Sequence, residues 1–150
     1  MASKAANPIG FQSMLAAIIA ISILESLLAG FGIIPPMLSY SPANLLFAFL
    51  RLAILAYAGW AYAPSGVARA ALRGGALFLA SSLALCIAAI AAKNIATHPI
   101  LGVFVPDGAL MALFAVIVVQ NTLMGAAIAA VVAWLSRQKF FQGLFTAKKS

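Results

Sequence analysis

With 150 residues, 65% of them hydrophobic and 7% charged, the chain departs far from the roughly 25% charged, 45–50% apolar make-up of soluble domains, and a soluble domain of this length has no interior large enough to hide so much apolar surface. The net charge of +7 does not indicate nucleic acid, because the cations flank apolar runs and do not gather with aromatics on a polar face. A single cysteine, Cys86, sits in the middle of an apolar run, which excludes an intramolecular disulfide and a cysteine metal cluster and leaves a small buried hydrophobe.

A bilayer-spanning helix takes about 20 mostly apolar residues, and the apolar runs supply four of them. The first covers about 9–34 and contains Glu25. Signal-peptide cores are about 7–15 residues long and uncharged, so this run is read as a retained helix. Pro35 and Pro36, which cannot donate backbone hydrogen bonds, are expected to stop it. Ser41 followed by Pro42 has the pattern of an N-cap with proline at the first helical position, so the second span covers about 43–63 and closes at Pro64-Ser65-Gly66.

A third helix is expected to begin near Ser65, to carry Arg69 and Arg73 one turn apart, and to enter the membrane at Gly74-Gly75, where the glycine pair predicts a kink. Its span is about 74–92 and it leaves at Lys93. The stretch from Asn94 to Pro106 is non-helical and apolar enough to lie on the interface. Asp107 is the expected N-cap of a fourth span at about 108–134. In the tail, 136–150, Phe140, Phe141, Leu144 and Phe145 share one helical face among Arg137, Lys139, Lys148 and Lys149, which reads as a basic amphipathic segment on the interface. The fold class is therefore all-α: a polytopic membrane protein built as an antiparallel bundle of four transmembrane helices in 1–135, followed by that tail.

Lysine and arginine set the orientation. With four spans, Lys4, Arg69, Arg73, Arg137, Lys139, Lys148 and Lys149 share one side, and Lys93 falls on the other. Both termini are expected on the cytoplasmic face of a plasma membrane of the prokaryotic kind, with Trp60, Tyr62 and Trp134 in the inner aromatic belt.

Glu25 and Arg51 are the charges well inside the predicted spans, each costing about 2.5–3.5 kcal/mol at a helix centre. Glu25 stands nine positions before Ile34 and Arg51 nine after Pro42, so both lie roughly 13 Å below the same end of an antiparallel hairpin. Ser22, Glu25, Ser26 and Ala29 share one face of the first span; Asn44, Ala48, Arg51, Leu55, Ala58 and Tyr62 share one face of the second. Small and polar neighbours let the two backbones approach, so the charges are expected to pair toward the bundle interior. A carboxylate held by a guanidinium fixes helix register, whereas one facing a water-filled path would serve transport.

Gln120 and Asn121, near the middle of the fourth span, are the remaining candidates for an intramembrane polar site. Asn121, Gly125, Ala129 and Ala133 recur every four residues, as do Ala76, Ala80, Ala84, Ala88 and Ala92 in the third span. Such rows pack helices closely in lipid, either within one chain or between copies. His98 and Asp107 are too few for a metal site, and with one histidine and two side-chain carboxylates no hydrolytic triad, metal centre or cofactor cradle can be assembled. The expected partners are the lipid bilayer and, through the small-residue faces, other membrane subunits or a second copy.

A non-catalytic accessory or structural subunit of a membrane complex fits this scarcity of chemistry best. The alternative is a small homo-oligomeric transporter or channel with Glu25 lining its path. A lone glutamate in the first of four spans is similar to the small multidrug resistance carriers, a resemblance that implies a homo-oligomeric carrier with Glu25 in its transport path. Arg51, the long third loop and the greater length depart from that pattern.

Overall fold

The computed structural model describes residues 10–37, 39, 41–92, 96 and 107–138. Four helices make up the fold: α1 (Phe11–Gly30), α2 (Pro42–Tyr62), α3 (Val67–Ala92) and α4 (Asp107–Ser136). Each is long and apolar enough to cross a membrane. The expected tail beyond Gln138, the loop around His98, and Lys4 and Lys93 lie outside the described residues.

α1 ends before the prolines reach it. Gly32 adopts a φ of 70°, and the amides of Gly32 and Ile33 donate back to the carbonyls of Ala29 and Leu28. Glycine tolerates this left-handed turn at no steric cost, and the paired bonds satisfy carbonyls that the helix end would otherwise leave open. The expected stop at Ile34 is thus corrected to Gly30. Pro35 and Pro36 lie instead in the turn to α2, whose start follows expectation: Ser41 Oγ accepts from the Asn44 amide at 3.2 Å, with Pro42 in the first turn. The Asn44 side-chain amide then reaches back to the carbonyls of Pro36 at 2.8 Å and Ser39 at 2.9 Å and to the Ser39 hydroxyl at 2.9 Å. One buried amide therefore holds the α1–α2 hairpin closed.

A single 3₁₀ turn, Ala63–Ser65, and Gly66 with φ 106° link α2 to α3. α3 runs as one helix through Gly74 and Gly75. Gly74 serves close packing. A Cβ on Gly74 would collide with Ala129 and with the Gly125 carbonyl, and one on Gly125 would come within 2.6 Å of Phe78 Cβ and 2.7 Å of the Gly74 carbonyl. The two backbones cross in direct contact.

That crossing is the centre of the most extensive helix pair in the molecule, α3 with α4. Toward one end Ala70 packs with Ala133, and toward the other Leu85 and Cys86 pack with Phe114. The α3 side of the seam is therefore the row Ala70, Gly74, Phe78, Ser82 and Cys86, spaced four residues apart. Of the expected alanine row, Ala80, Ala84 and Ala88 face elsewhere and line an apolar groove of about 660 Å³ against Ile19, Ile23 and Leu27 of α1. α2 and α3 form the short diagonal of the bundle, each touching all other helices, while α1 and α4 make no contact among the described residues. α2 in turn approaches α4 at Gly59, where an added Cβ would lie 2.7 Å from the Ala129 carbonyl.

The bundle is apolar on its outside as well as its inside. Leu24, Leu46, Phe49, Leu72, Ile87, Met111 and Leu123 are all exposed, a surface suited to hydrocarbon and not to water.

Candidate functional site

The buried face of α1 carries Ser22, Glu25, Ser26 and Ala29 together, the set that spacing of three and four places on one side of a helix. Glu25 is 2% exposed and its Oε2 accepts from Nη2 of Arg51, whose side chain is 15% exposed. α1 and α2 are antiparallel neighbours joined by the turn that Asn44 fixes, and this brings the two charges to one level. The expected pair is formed, between two helices that otherwise touch less than any other adjacent pair of the four. Arg51 retains an unused donor, since its Nε is buried without an acceptor.

Around the pair the interior is polar in small, closed units. Ser22 donates to the Ile18 carbonyl at 2.9 Å, so the 2.6 Å contact between the Ser22 and Ser81 hydroxyls has Ser81 as donor. Ser26 donates to the Ser22 carbonyl at 2.8 Å and lies 3.8 Å from Met37 Sδ. Across the bundle, Asn121 Nδ2 donates to Ser82 Oγ at 3.0 Å. A hydroxyl bonded to its own helix one turn back keeps its backbone helical while still offering an acceptor to a neighbouring helix. Thr122 does the first half of this, donating to the Val118 carbonyl at 2.7 Å.

Of the six sequence candidates, Glu25 and Arg51 meet directly, and Ser22 and Ser26 flank them on α1. Asn121 belongs to a separate contact with Ser82 on α3. Gln120 is exposed on α4 and joins neither group. The residues that sequence reasoning missed are Ser81 and Ser82, both buried and each the acceptor or donor that links α3 to a different neighbour. Their signal was present as two adjacent hydroxyls in an otherwise apolar span. Adjacent residues on a helix point about 100° apart, which is why Ser81 serves α1 and Ser82 serves α4.

The ion pair and the serine and asparagine bonds tie neighbouring helices to one another. Among the described residues no group of three or more histidine, cysteine or acidic side chains converges on a metal position. The α1–α3 groove is lined almost wholly by carbon, with Ser26 the one polar side-chain residue in its lining among the described residues. No protein-family model matches this chain, and neither curated proteins nor solved structures give a match.

Proposed function

We propose that the chain is a non-catalytic accessory or structural subunit of a membrane complex. The observation that carries this reading is the closure of Glu25: a carboxylate 2% exposed, bonded to Arg51 and flanked by serines that are themselves bonded, acts as a helix tie and offers nothing to a solute. A transport site needs polar groups that converge on an accessible space, and the groove that is accessible here is apolar. An exterior rich in large apolar side chains supports residence in a bilayer. The gathering of Arg69, Arg73 and Arg137 at one end of the bundle supports an orientation with both termini cytoplasmic.

The alternative, a small homo-oligomeric carrier or channel with Glu25 on its path, draws support from one group, the unused Nε of Arg51. Purification of the full chain in mild detergent separates the two. An accessory subunit co-purifies with other chains in fixed ratio. A homomer that carries solute across liposomes, and loses that activity in Glu25→Gln while still folded, would overturn the accessory reading.

A further inference from the structure

The pole of the bundle formed by the start of α1, the end of α2, the start of α3 and the end of α4 carries arginines and no acid among the described residues. Phe11 opens α1 and Tyr62 closes α2. The Arg73 guanidinium carbon stands 4.4 Å from the centre of the Phe11 ring and 5.5 Å from that of Tyr62. Arg73 is well inside α3, so its side chain runs back toward the start of its own helix, the direction helical side chains favour, and delivers the charge to the level of the neighbouring helix ends. Arg69, one turn nearer the start, is exposed, as is Arg73. α4 ends at the same pole, because Ala133 packs with Ala63 and Ala70, and Arg137 follows it.

These charges have no counter-charge within the described protein. The sequence holds two side-chain carboxylates: Glu25 is engaged by Arg51, and Asp107 begins α4 at the opposite pole. A guanidinium held beside rings by cation–π attraction has its charge only partly met there, and its planar fork of N–H donors matches two oxygens of a phosphate. Because the rings already fix its position, less freedom is lost when the ligand binds.

We propose that Arg73, aided by Arg69, is a binding site for the phosphodiester of an anionic phospholipid in the leaflet at this pole. The proposal rests on the reading that the chain spans a bilayer. A lipid is favoured over a free anion because the site borders bare hydrocarbon-like surface: Leu72, next to Arg73, is 75% exposed, and Trp60, on the last turn of α2, is 54% exposed. An acyl chain lying along those side chains is carried by the same molecule whose phosphate meets the guanidinium.

The test uses the full chain purified in non-ionic detergent, with bound phosphatidylglycerol and phosphatidylcholine counted by native mass spectrometry and thermal midpoints measured with each lipid and with inorganic phosphate. The wild type should retain phosphatidylglycerol in preference and be stabilised by it. Arg73→Gln should lower that retention about tenfold, the effect of losing one charge-assisted hydrogen-bonded contact. Arg73→Lys, which keeps the charge and loses the fork, should recover it only in part. Arg69 makes no ring contact among the described residues, so Arg69→Gln decides the matter if Arg73→Gln fails to fold: its retention should also fall. Unchanged lipid preference in folded Arg73→Gln, or in Arg69→Gln should the first not fold, would overturn the site, and equal stabilisation by inorganic phosphate would reduce it to a plain anion site. Alkaline extraction keeps the two failures apart. Release of the chain from membranes refutes the bilayer reading itself, whereas a retained chain without lipid preference refutes this site alone.

Discussion

The two halves of the bundle are held by opposite means. Where α3 crosses α4, Gly74 and Gly125 have no side chains to separate the backbones, and Ala70, Ala129 and Ala133 continue the contact with no exposed surface. In a medium as apolar as the side chains themselves, such a seam gains chiefly from dispersion and needs close approach to do so. α1 and α2 touch far less; beside the apolar cluster that Met14 and Ile18 share with Leu55 and Ala58, their specific link is one ion pair with a hydrogen-bonded turn. Close packing tolerates no added volume, whereas an ion pair tolerates no unbalanced charge. The two regions should therefore fail under different substitutions.

The largest effect is expected at the seam. Gly74→Leu forces a side chain into space held by Ala129 and the Gly125 backbone, and because both obstacles belong to a helix core neither can move aside. Overpacking of this kind costs about 1–3 kcal/mol where side chains yield and more where backbone must shift, so loss of the folded bundle should be seen as aggregation or a collapsed thermal midpoint in detergent. A Gly74→Leu protein as stable as wild type would show that α3 and α4 do not cross as described.

Next comes the ion pair. Arg51→Leu alone should destabilise the bundle by about 3–5 kcal/mol, because it strands the buried Glu25, and Glu25→Gln by less, because the stranded Arg51 is partly exposed. The double replacement should recover much of that loss. Unfolding measured for all four members of the cycle should give a clearly nonzero coupling energy, since independent sites add to within about 0.5 kcal/mol.

A smaller effect belongs to the polar contact within the seam. Asn121→Leu or Ser82→Ala removes an interhelical hydrogen bond of the type that contributes about 0.6 kcal/mol on average and at most about 1.7 kcal/mol in a membrane protein. A loss beyond 3 kcal/mol, the upper end for hydrogen bonds even to charged groups, would mean that polar bonding and not close approach holds α3 to α4. Gln120→Leu should be nearly silent, within about 0.5 kcal/mol, because Gln120 is exposed. A large change there would reveal a partner on that face of α4.

Much of this was readable before folding. The apolar runs marked four helices because helix length and hydrocarbon thickness are both properties of a single segment. The α1 face of Ser22, Glu25, Ser26 and Ala29 followed from helical periodicity, and the partnership of Glu25 with Arg51 followed from charge and from the short hairpin that sets their depth. Ser41 and Pro42 marked the start of α2 by local chemistry alone.

Tertiary structure decided which faces meet. Periodicity pointed to the alanine row from Ala76 to Ala92 as the small-residue face of α3, whereas the row that meets α4 is interrupted by the large Phe78. Ala70, Gly74 and the positions that continue their row won the place against α4 because Gly74 meets Gly125, while Ala80, Ala84 and Ala88 were left along a groove beside α1. The same limit separates Asn121 from its neighbour Gln120, since a rotation of about 100° turns one toward Ser82 and the other outward. Segment-level properties are written in order along the chain. The azimuth at which a helix docks depends on the shape of a surface contributed by distant residues, and Ser81 and Ser82 acquire their separate partners only when that azimuth is fixed.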